Sequence, residues 1–202
     1  MPLNTTSKLE AVNTMLGSIG EAPVNSLTSG LVDAETAEKI LDSVSREVQA
    51  RGWSFNTDIN LLYTPDASNA NQISLTSSVL RIEMAEAKTE HLDVVQRGLK
   101  LYNRAKASFY FDPSVTGVKM NVVTLLEFGD LPEAAKRYIT LRAARIFQDR
   151  VVSSSELHGF QQRDELMALV ELEDADGQVS DHNIFDNYSV ASGIDRMGGT
   201  VI

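Results

Sequence analysis

The chain has 202 residues, of which 43% are hydrophobic and only 6% aromatic, and its formal net charge is −10. This composition allows a packed core in one sizeable domain or two small ones and excludes a wholly disordered chain. The negative charge and the few aromatic side chains argue against a nucleic-acid-binding surface, and the absence of cysteine excludes disulfides and thiolate metal sites.

Membrane attachment and export are not expected from the sequence. No apolar run approaches the roughly 18 residues that a membrane-spanning helix needs. The N-terminal residues contain neither a basic stretch nor an apolar stretch, so we expect no signal peptide.

Two helices are predicted in the first quarter of the chain. The first runs from about Ser7 to Ile19 and opens with a capping box, in which Ser7 and Glu10 satisfy each other's backbone N–H groups. The second begins near Asp33, a good N-cap residue, and ends before Gly52, a typical C′ glycine. Its apolar residues recur at helical spacing: Ala37, Ile40, Leu41, Val44 and Val48.

The only tryptophan, Trp53, follows the predicted end of this second helix directly. An apolar residue after a helix C-cap commonly packs back on the last helical turn. We therefore expect Gly52 and Trp53 to form a structural joint between the helices and the next region. A tryptophan in a binding pocket is the alternative interpretation.

Between Trp53 and about Phe128, apolar residues recur at every second position instead of at helical spacing. This alternation predicts antiparallel strands. Arg97-Gly98 lies between two alternating stretches, residues 93–96 and 99–102, and this arrangement predicts a hairpin. The remaining predicted strands are residues 59–63, 78–84, 107–111 and 120–126.

Two further helices are predicted in the last third of the chain. The third opens with another capping-box pattern, from Asp130 to Glu133, and runs to about Val152. The fourth is capped by the serines of residues 153–156 and runs to about Asp174. The apolar residues that mark the fourth helix are Leu157, Phe160, Met167 and Val170.

These elements together predict an α+β fold, mainly α. The expected architecture is an antiparallel helical bundle with an inserted antiparallel β region and an extended C-terminal arm. The predicted domains are a discontinuous bundle of residues 1–52 and 130–176, a β region of residues 53–129, and an arm of residues 177–202.

No catalytic, cofactor or metal site is predicted. The three histidines, His91, His158 and His182, form no spaced ligand pair, and the acidic run before Gly177 lacks the first aspartate and the final glutamate of a calcium loop. No nucleophile motif is present. Carboxylate pairs are plentiful, so a glycan hydrolase is kept as an alternative, as is an unrelated bacterial scaffold or interaction protein.

Four stretches of the sequence resemble one family of phage proteins. They are LEAVNTMLGSIGEAPVN (residues 9–25), SREVQARGWSFN (45–56), LPEAAKRY (131–138) and AARIFQ (143–148). Together they resemble the tail tubular protein A adaptors of short-tailed double-stranded DNA phages, the podoviruses. The resemblance covers residue 7 to about residue 186.

The resemblance implies a structural function in the virion tail rather than an enzymatic one. Such adaptors form a ring, twelvefold in the known cases, between the portal protein of the capsid and the tail nozzle protein. They extend the DNA channel, through which DNA passes without specific binding, and they support the assembly of nozzle and tail fibres. The implied site of assembly is the host cytoplasm.

Two sets of residues are candidates for partner contacts. On the C-terminal arm, aromatic and aliphatic anchors would dock on a portal subunit, although a tail without a function is the alternative. In the basic run of residues 136–150, arginines would face an acidic partner surface, or would only balance acids on neighbouring helices. The anchors are Ile184, Phe185 and Tyr188, and the arginines are Arg142, Arg145 and Arg150.

Overall fold

The computed structural model describes residues 5–86 and 89–179. Four α-helices lie in this part of the chain: α1 (Lys8–Ser18), α2 (Val32–Gln49), α3 (Glu133–Val151) and α4 (Ser155–Val179). It also contains five strands: β1 (Thr57–Tyr63), β2 (Val79–Met84), β3 (Val94–Arg97), β4 (Lys100–Asn103) and β5 (Val118–Thr124). The predicted fold class, α+β and mainly α with antiparallel strands, is confirmed.

Helix α1 begins as the sequence predicts. The Ser7 hydroxyl accepts the Glu10 N–H at 3.2 Å, and the Glu10 carboxylate accepts the Ser7 N–H at 2.7 Å, so the capping box is complete. Helix α2 starts slightly earlier than expected, at Val32, and no side chain in the described part of the chain caps it. Asp33 therefore lies in the first turn, where the helix dipole favours a carboxylate.

The predicted capping box of the third helix is wrong. Pro132 occupies the N-cap position of α3. Asp130 is the last residue of a separate 3₁₀ turn, residues 128–130, and therefore lies two positions before the N-cap. The Glu133 carboxylate instead accepts hydrogen bonds from the backbone N–H and the hydroxyl of Thr6. These bonds tie the N-terminal segment to the start of α3. Helices α1, α2 and α4 all pack against α3, which makes it the central helix.

The apolar residues that mark the fourth helix in the sequence lie on its exposed side. Phe160 is 71% exposed and Val170 is 54% exposed, whereas the buried side chains of α4 are Glu165, Ala168 and Leu172. The rotation of α4 follows ion pairs that Glu165 makes with arginines of α3, and a pattern of hydrophobicity does not reveal these pairs. The helix also continues to Val179, so the first three residues of the predicted arm are helical.

The strands form two small antiparallel sheets. One has the order β1-β5-β2, and the other is the β3-β4 hairpin, whose turn contains Gly98 at φ +62 as the sequence predicts. Residues 107–111 do not form the predicted strand. Ala107 has a positive φ of 49, and Ser108 makes only an isolated bridge to Asn103.

Buried apolar residues form two clusters. The first joins side chains of all four helices, so that helices from both ends of the chain share one core, and it includes Trp53. The second lies on the sheets and includes Met120 and Val122 of β5 together with Phe111. Whether the chain divides into separate domains at the boundaries given above stays a prediction.

We expect the capping box of α1 to make stability depend on pH. Hydrogen bonds from the Ser7 N–H and hydroxyl lower the pKa of Glu10 below its ordinary value of 4.5. A depressed folded-state pKa contributes stability above that ordinary value, and the contribution is lost as the pH falls through the folded-state pKa. The thermal midpoint of Glu10→Gln should therefore fall less than that of the wild type between about pH 5 and pH 3.

Glu21→Gln is the matched control, because Glu21 is an exposed acid outside the helix. Thermal unfolding followed by circular dichroism measures all three proteins. Equal slopes for wild type and Glu10→Gln over this pH range would contradict the assignment.

Candidate functional site

The chain turns out of α2 at a glycine that its surroundings require. Gly52 has φ +82, a conformation that side chains disfavour. A Cβ atom at this position would also lie 2.8 Å from the Arg81 Nη2 atom and 3.0 Å from a Val123 methyl carbon. The Arg81 contact is with the end of a flexible side chain, so the positive φ and the Val123 methyl group are the features that favour glycine at this position.

Trp53 is buried in the helical cluster, as expected for a structural joint. Its indole Nε1–H donates to the Val48 carbonyl at 2.8 Å, so the ring folds back on the last turn of α2. Its ring stacks on that of Phe55, with centroids 6.4 Å apart. This burial and this hydrogen bond fit a packing role better than the pocket alternative.

Two buried amide side chains connect the end of α2 to the end of β5. Gln49 binds both polar groups of the Leu126 backbone: its Oε1 accepts the N–H at 2.8 Å and its Nε2 donates to the carbonyl at 3.1 Å. The Asn56 Nδ2 donates to the carbonyls of Gln49 and Thr124, each at 3.0 Å. These bonds hold together the two places where the chain passes between helices and strands.

Sequence reasoning missed these amides, although a weak signal exists. Ser45 and Gln49 continue the line of Ala37 and Leu41 at four-residue spacing, so two polar residues extend an apolar stripe. A buried amide with all its partners supplied specifies one arrangement of the backbone around it. The partners of Gln49 lie 77 residues away, however, and no local pattern reveals them.

Arg142 and Arg145 share one buried carboxylate. The Arg142 Nη1–H donates to Glu165 Oε1 at 3.0 Å, and Arg145 Nε–H donates to the other oxygen of Glu165. This hydrogen bond raises the pKa of Arg145 above its ordinary value. Arg142 also pairs with Glu47 of α2 at 2.7 Å, so the cluster joins α2, α3 and α4.

The three candidate arginines are thus in different situations. Arg142 and Arg145 balance acids on neighbouring helices, which was one of the two interpretations of the basic run. Arg150 is exposed and makes no ion pair within the described residues. A contact between any of the three and a partner stays a prediction.

An open hollow of about 430 Å³ lies over this ion cluster, between α3 and α4. The residues with charged side chains in its lining are Arg51, Arg142, Arg145, Arg163 and Glu165. The Arg142 Nε–H is buried there without a hydrogen-bond partner among the described residues. The excess of arginine makes the hollow attractive to anionic groups.

Exposed apolar side chains form two surfaces on the helices. The outward face of α4 carries Phe160, Leu166, Met167 and Val170. A second group consists of Leu31 and Val32 at the start of α2 and of Val151 and Val152 at the end of α3. Thr36, near the start of α2, and Arg150, near the end of α3, line one hollow, so the two helices run antiparallel. The second group therefore lies at one end of the bundle. Large exposed apolar groups of this kind mark interaction surfaces.

Three further sequence-based expectations concern the C-terminal anchors, membrane-spanning helices and metal sites. Ile184, Phe185 and Tyr188 lie outside the described residues. Within residues 5–86 and 89–179, no helix is both long and apolar enough to cross a bilayer. The same part of the chain has no cluster of three or more histidines and acids suited to a metal ion.

We expect Trp53→Ala to lower the free energy of unfolding by about 3–5 kcal/mol, because it removes a buried aromatic side chain. Urea unfolding followed by circular dichroism measures the change. Phe55→Ala is the control and should cost less, since Phe55 is only partly buried against the same cluster. A loss below about 1 kcal/mol for Trp53→Ala would contradict the assigned packing.

We expect Glu165→Gln to lower the free energy of unfolding by about 3 kcal/mol, because two arginines lose their shared carboxylate. Glu47→Gln is the matched control. The Glu47 side chain is 61% exposed, so we expect a loss below about 1 kcal/mol. Equal losses for the two variants in the same urea experiment would show that the burial of Glu165 has no special importance.

Comparison with known proteins identifies the family. A sequence model of the tail tubular protein family matches residues 9–182, which include all five strands of the described part and, except for Lys8, all four of its helices. A search of curated proteins finds no match to this chain. The family is a structural one, found in the phage tail as part of an oligomeric assembly. The chain belongs to the tail tubular protein family and is a structural component of the virion tail.

Proposed function

We propose that this protein is the adaptor that joins the phage head to the tail. Copies of the chain form a ring, of about twelve subunits by the resemblance described above, between the portal protein and the tail nozzle protein. The ring extends the DNA channel and supports the assembly of nozzle and tail fibres. The chain acts in this position as a structural part without enzymatic activity.

The exposed apolar face of α4 is the observation that carries this proposal. A monomer gains nothing from leaving Phe160 and Met167 in water on a helix whose other face is packed. A ring of identical subunits uses two different surfaces, one on each side of every subunit. The face of α4 supplies one such surface, and we assign the apolar end of the bundle near Val32 and Val152 to the contact with the portal.

The joint at Trp53 fits the same arrangement. Helices on one side of the joint would meet the portal, and strands on the other side would reach a neighbouring subunit or the nozzle. Ile184, Phe185 and Tyr188 would add apolar anchors, and the exposed Arg150 would meet an acidic partner surface.

The net charge suits a channel through which DNA slides. With −10 on each chain, about twelve copies would carry roughly −120, and this charge would repel phosphates. A basic bore in a structure of the ring would contradict this part of the proposal. The described residues supply no observation that favours the glycan hydrolase alternative.

The test is reconstitution of the purified chain with the portal protein from the same genome. We expect electron microscopy and solution mass to show a closed ring of this chain on the portal. Phe160→Glu should weaken ring formation, because it places a charge in the apolar contact. Leu99→Glu is the matched control, since Leu99 is a similarly exposed apolar residue in the β3-β4 turn.

Circular dichroism of both variants would serve as the control that each is folded. A chain that leaves the portal unoccupied would remove the adaptor proposal. Rings that form equally well with Phe160→Glu would show that the face of α4 is not a subunit contact.

A further inference from the structure

The hollow between α3 and α4, called the arginine hollow below, has an excess of positive charge. Its charged lining consists of four arginines and one glutamate, although the whole chain carries −10. Glu165 is already shared by Arg142 and Arg145. The other two arginines, Arg51 and Arg163, are exposed and make no ion pair within the described part of the chain. The arginine hollow therefore has guanidinium groups available for further carboxylates.

The arginine hollow also has apolar side chains in its lining. Leu166 and Leu169 of α4 lie there together with Tyr138 of α3, and Leu166 is 61% exposed. A protein segment that carries both acidic and apolar side chains fits this lining. A nucleic-acid backbone offers phosphates without apolar groups, and the net charge of the chain repels it. The chemistry of the hollow therefore favours an acidic protein surface as its occupant.

A stripe of that composition lies along α4 itself. It consists of five exposed residues whose positions recur at intervals of four and three, so they share one face of the helix. In chain order they are Phe160, Asp164, Met167, Glu171 and Asp174. This face, called the acidic stripe below, includes two of the apolar residues already assigned to a subunit contact.

The acids of the acidic stripe are poorly paired within the chain. In its described part, Asp164 makes no ion pair, and Glu171 pairs only with Arg137, at 3.5 Å, where both side chains are more than half exposed. Exposed ion pairs of this kind contribute little to stability. Asp164 lines a separate hollow beside Thr14 of α1, so the acidic stripe and the arginine hollow lie on different flanks of α4. One chain therefore cannot place its own acidic stripe in its own arginine hollow.

We propose that the acidic stripe of one copy docks in the arginine hollow of the next copy. Asp164 and Glu171 pair with the free guanidinium groups of the hollow, and the apolar members of the stripe pack against Leu166. Each copy carries both surfaces, and the two surfaces differ, so the contact repeats from copy to copy as a ring requires. This inference rests on the proposed ring and names the surface that the exposed face of α4 meets.

Crosslinking of two single-cysteine variants tests this contact, since the natural chain contains no cysteine. Met167→Cys places a thiol in the acidic stripe, and Gln162→Cys places one in the lining of the arginine hollow. A mixture of the two full-length variants is assembled on the portal protein and treated with a short bismaleimide. We expect mixed crosslinks to exceed self-crosslinks of either variant about tenfold, because only the mixed pair is adjacent in a contact between two different surfaces.

A mixture of Leu99→Cys and Gln162→Cys is the matched control. Leu99 is a similarly exposed apolar residue in the β3-β4 turn, outside both surfaces, so few crosslinks should form. The mixture of Met167→Cys and Gln162→Cys is also crosslinked at high concentration without the portal, and peptide mass spectrometry identifies the joined residues in every sample.

The outcomes separate this contact from the adaptor function. Dominant self-crosslinks of Met167→Cys would indicate a two-fold contact and overturn the proposal. A closed ring on the portal without mixed crosslinks would also overturn it but would leave the adaptor function intact. Mixed crosslinks without any ring on the portal would support the contact and contradict the adaptor function. The absence of mixed crosslinks from both samples would overturn the contact.

Charge reversal gives a second readout that needs no cysteine. Asp164→Arg and Arg51→Glu should each lower the fraction of portals that carry a closed ring about tenfold, because like charges then meet in the contact. Combining the two changes in one chain should recover most of the loss. Asp164→Arg/Arg46→Glu is the control, since it has the same net charge but changes an exposed arginine outside the arginine hollow. Equal recovery in both double variants would reduce the effect to net charge and overturn the pairing.

Duplex DNA is the anionic occupant that a further measurement must separate from a second copy. We expect a short duplex to show no gel shift with the wild-type chain at physiological salt. A shift with the wild type that is lost in Arg51→Glu would assign the arginine hollow to nucleic acid and overturn the proposal.

Discussion

Two buried amides fix the geometry on which the rest of this structure depends. The chain leaves the helices after α2 and returns to them after β5, and Gln49 and Asn56 bind both passages to each other. Gly52 permits the close approach that these bonds require, and Trp53 fills the space beside it. Buried polar groups are costly when unpaired, so this arrangement is stable only when all of its partners are present. These hydrogen bonds therefore fix the position of the end of α2 relative to the end of β5.

The cost of an unpaired buried polar group also explains why one apolar face of α4 is exposed to water. Glu165 must keep its two arginines, because a buried carboxylate without partners is strongly destabilising. This requirement sets the rotation of α4 and turns Phe160, Met167 and Val170 outward. A structural tail component that assembles with other chains has a use for such a face, and a protein that stays monomeric has none.

The sequence predicted the elements whose causes are local. The capping box at Ser7, the apolar stripe of α2 and the hairpin at Gly98 depend on residues a few positions apart, and all three are confirmed. The wrong or missing predictions concern causes that are distant in sequence. Glu133 binds Thr6 instead of capping α3, and Glu165 decides which face of α4 is buried. Gln49 was missed because its partner lies far along the chain.

The candidate site also contains one feature that local sequence predicts and one that it does not. Burial of Trp53 followed from its place after a helix end, whereas the pairing of Arg142 and Arg145 with Glu165 required the fold. A basic run in a sequence does not distinguish arginines that hold helices together from an arginine, such as Arg150, that remains exposed. The family follows from a family model that matches residues 9–182, whereas composition and charge alone do not identify it.

Electron cryomicroscopy of the intact tail of the phage that carries this gene would test whether the protein is a head-to-tail adaptor. We expect a closed ring of this chain between portal and nozzle, with its helices toward the portal and an acidic bore. Density for this chain at any other position in the tail, or a single copy in place of a ring, would contradict it.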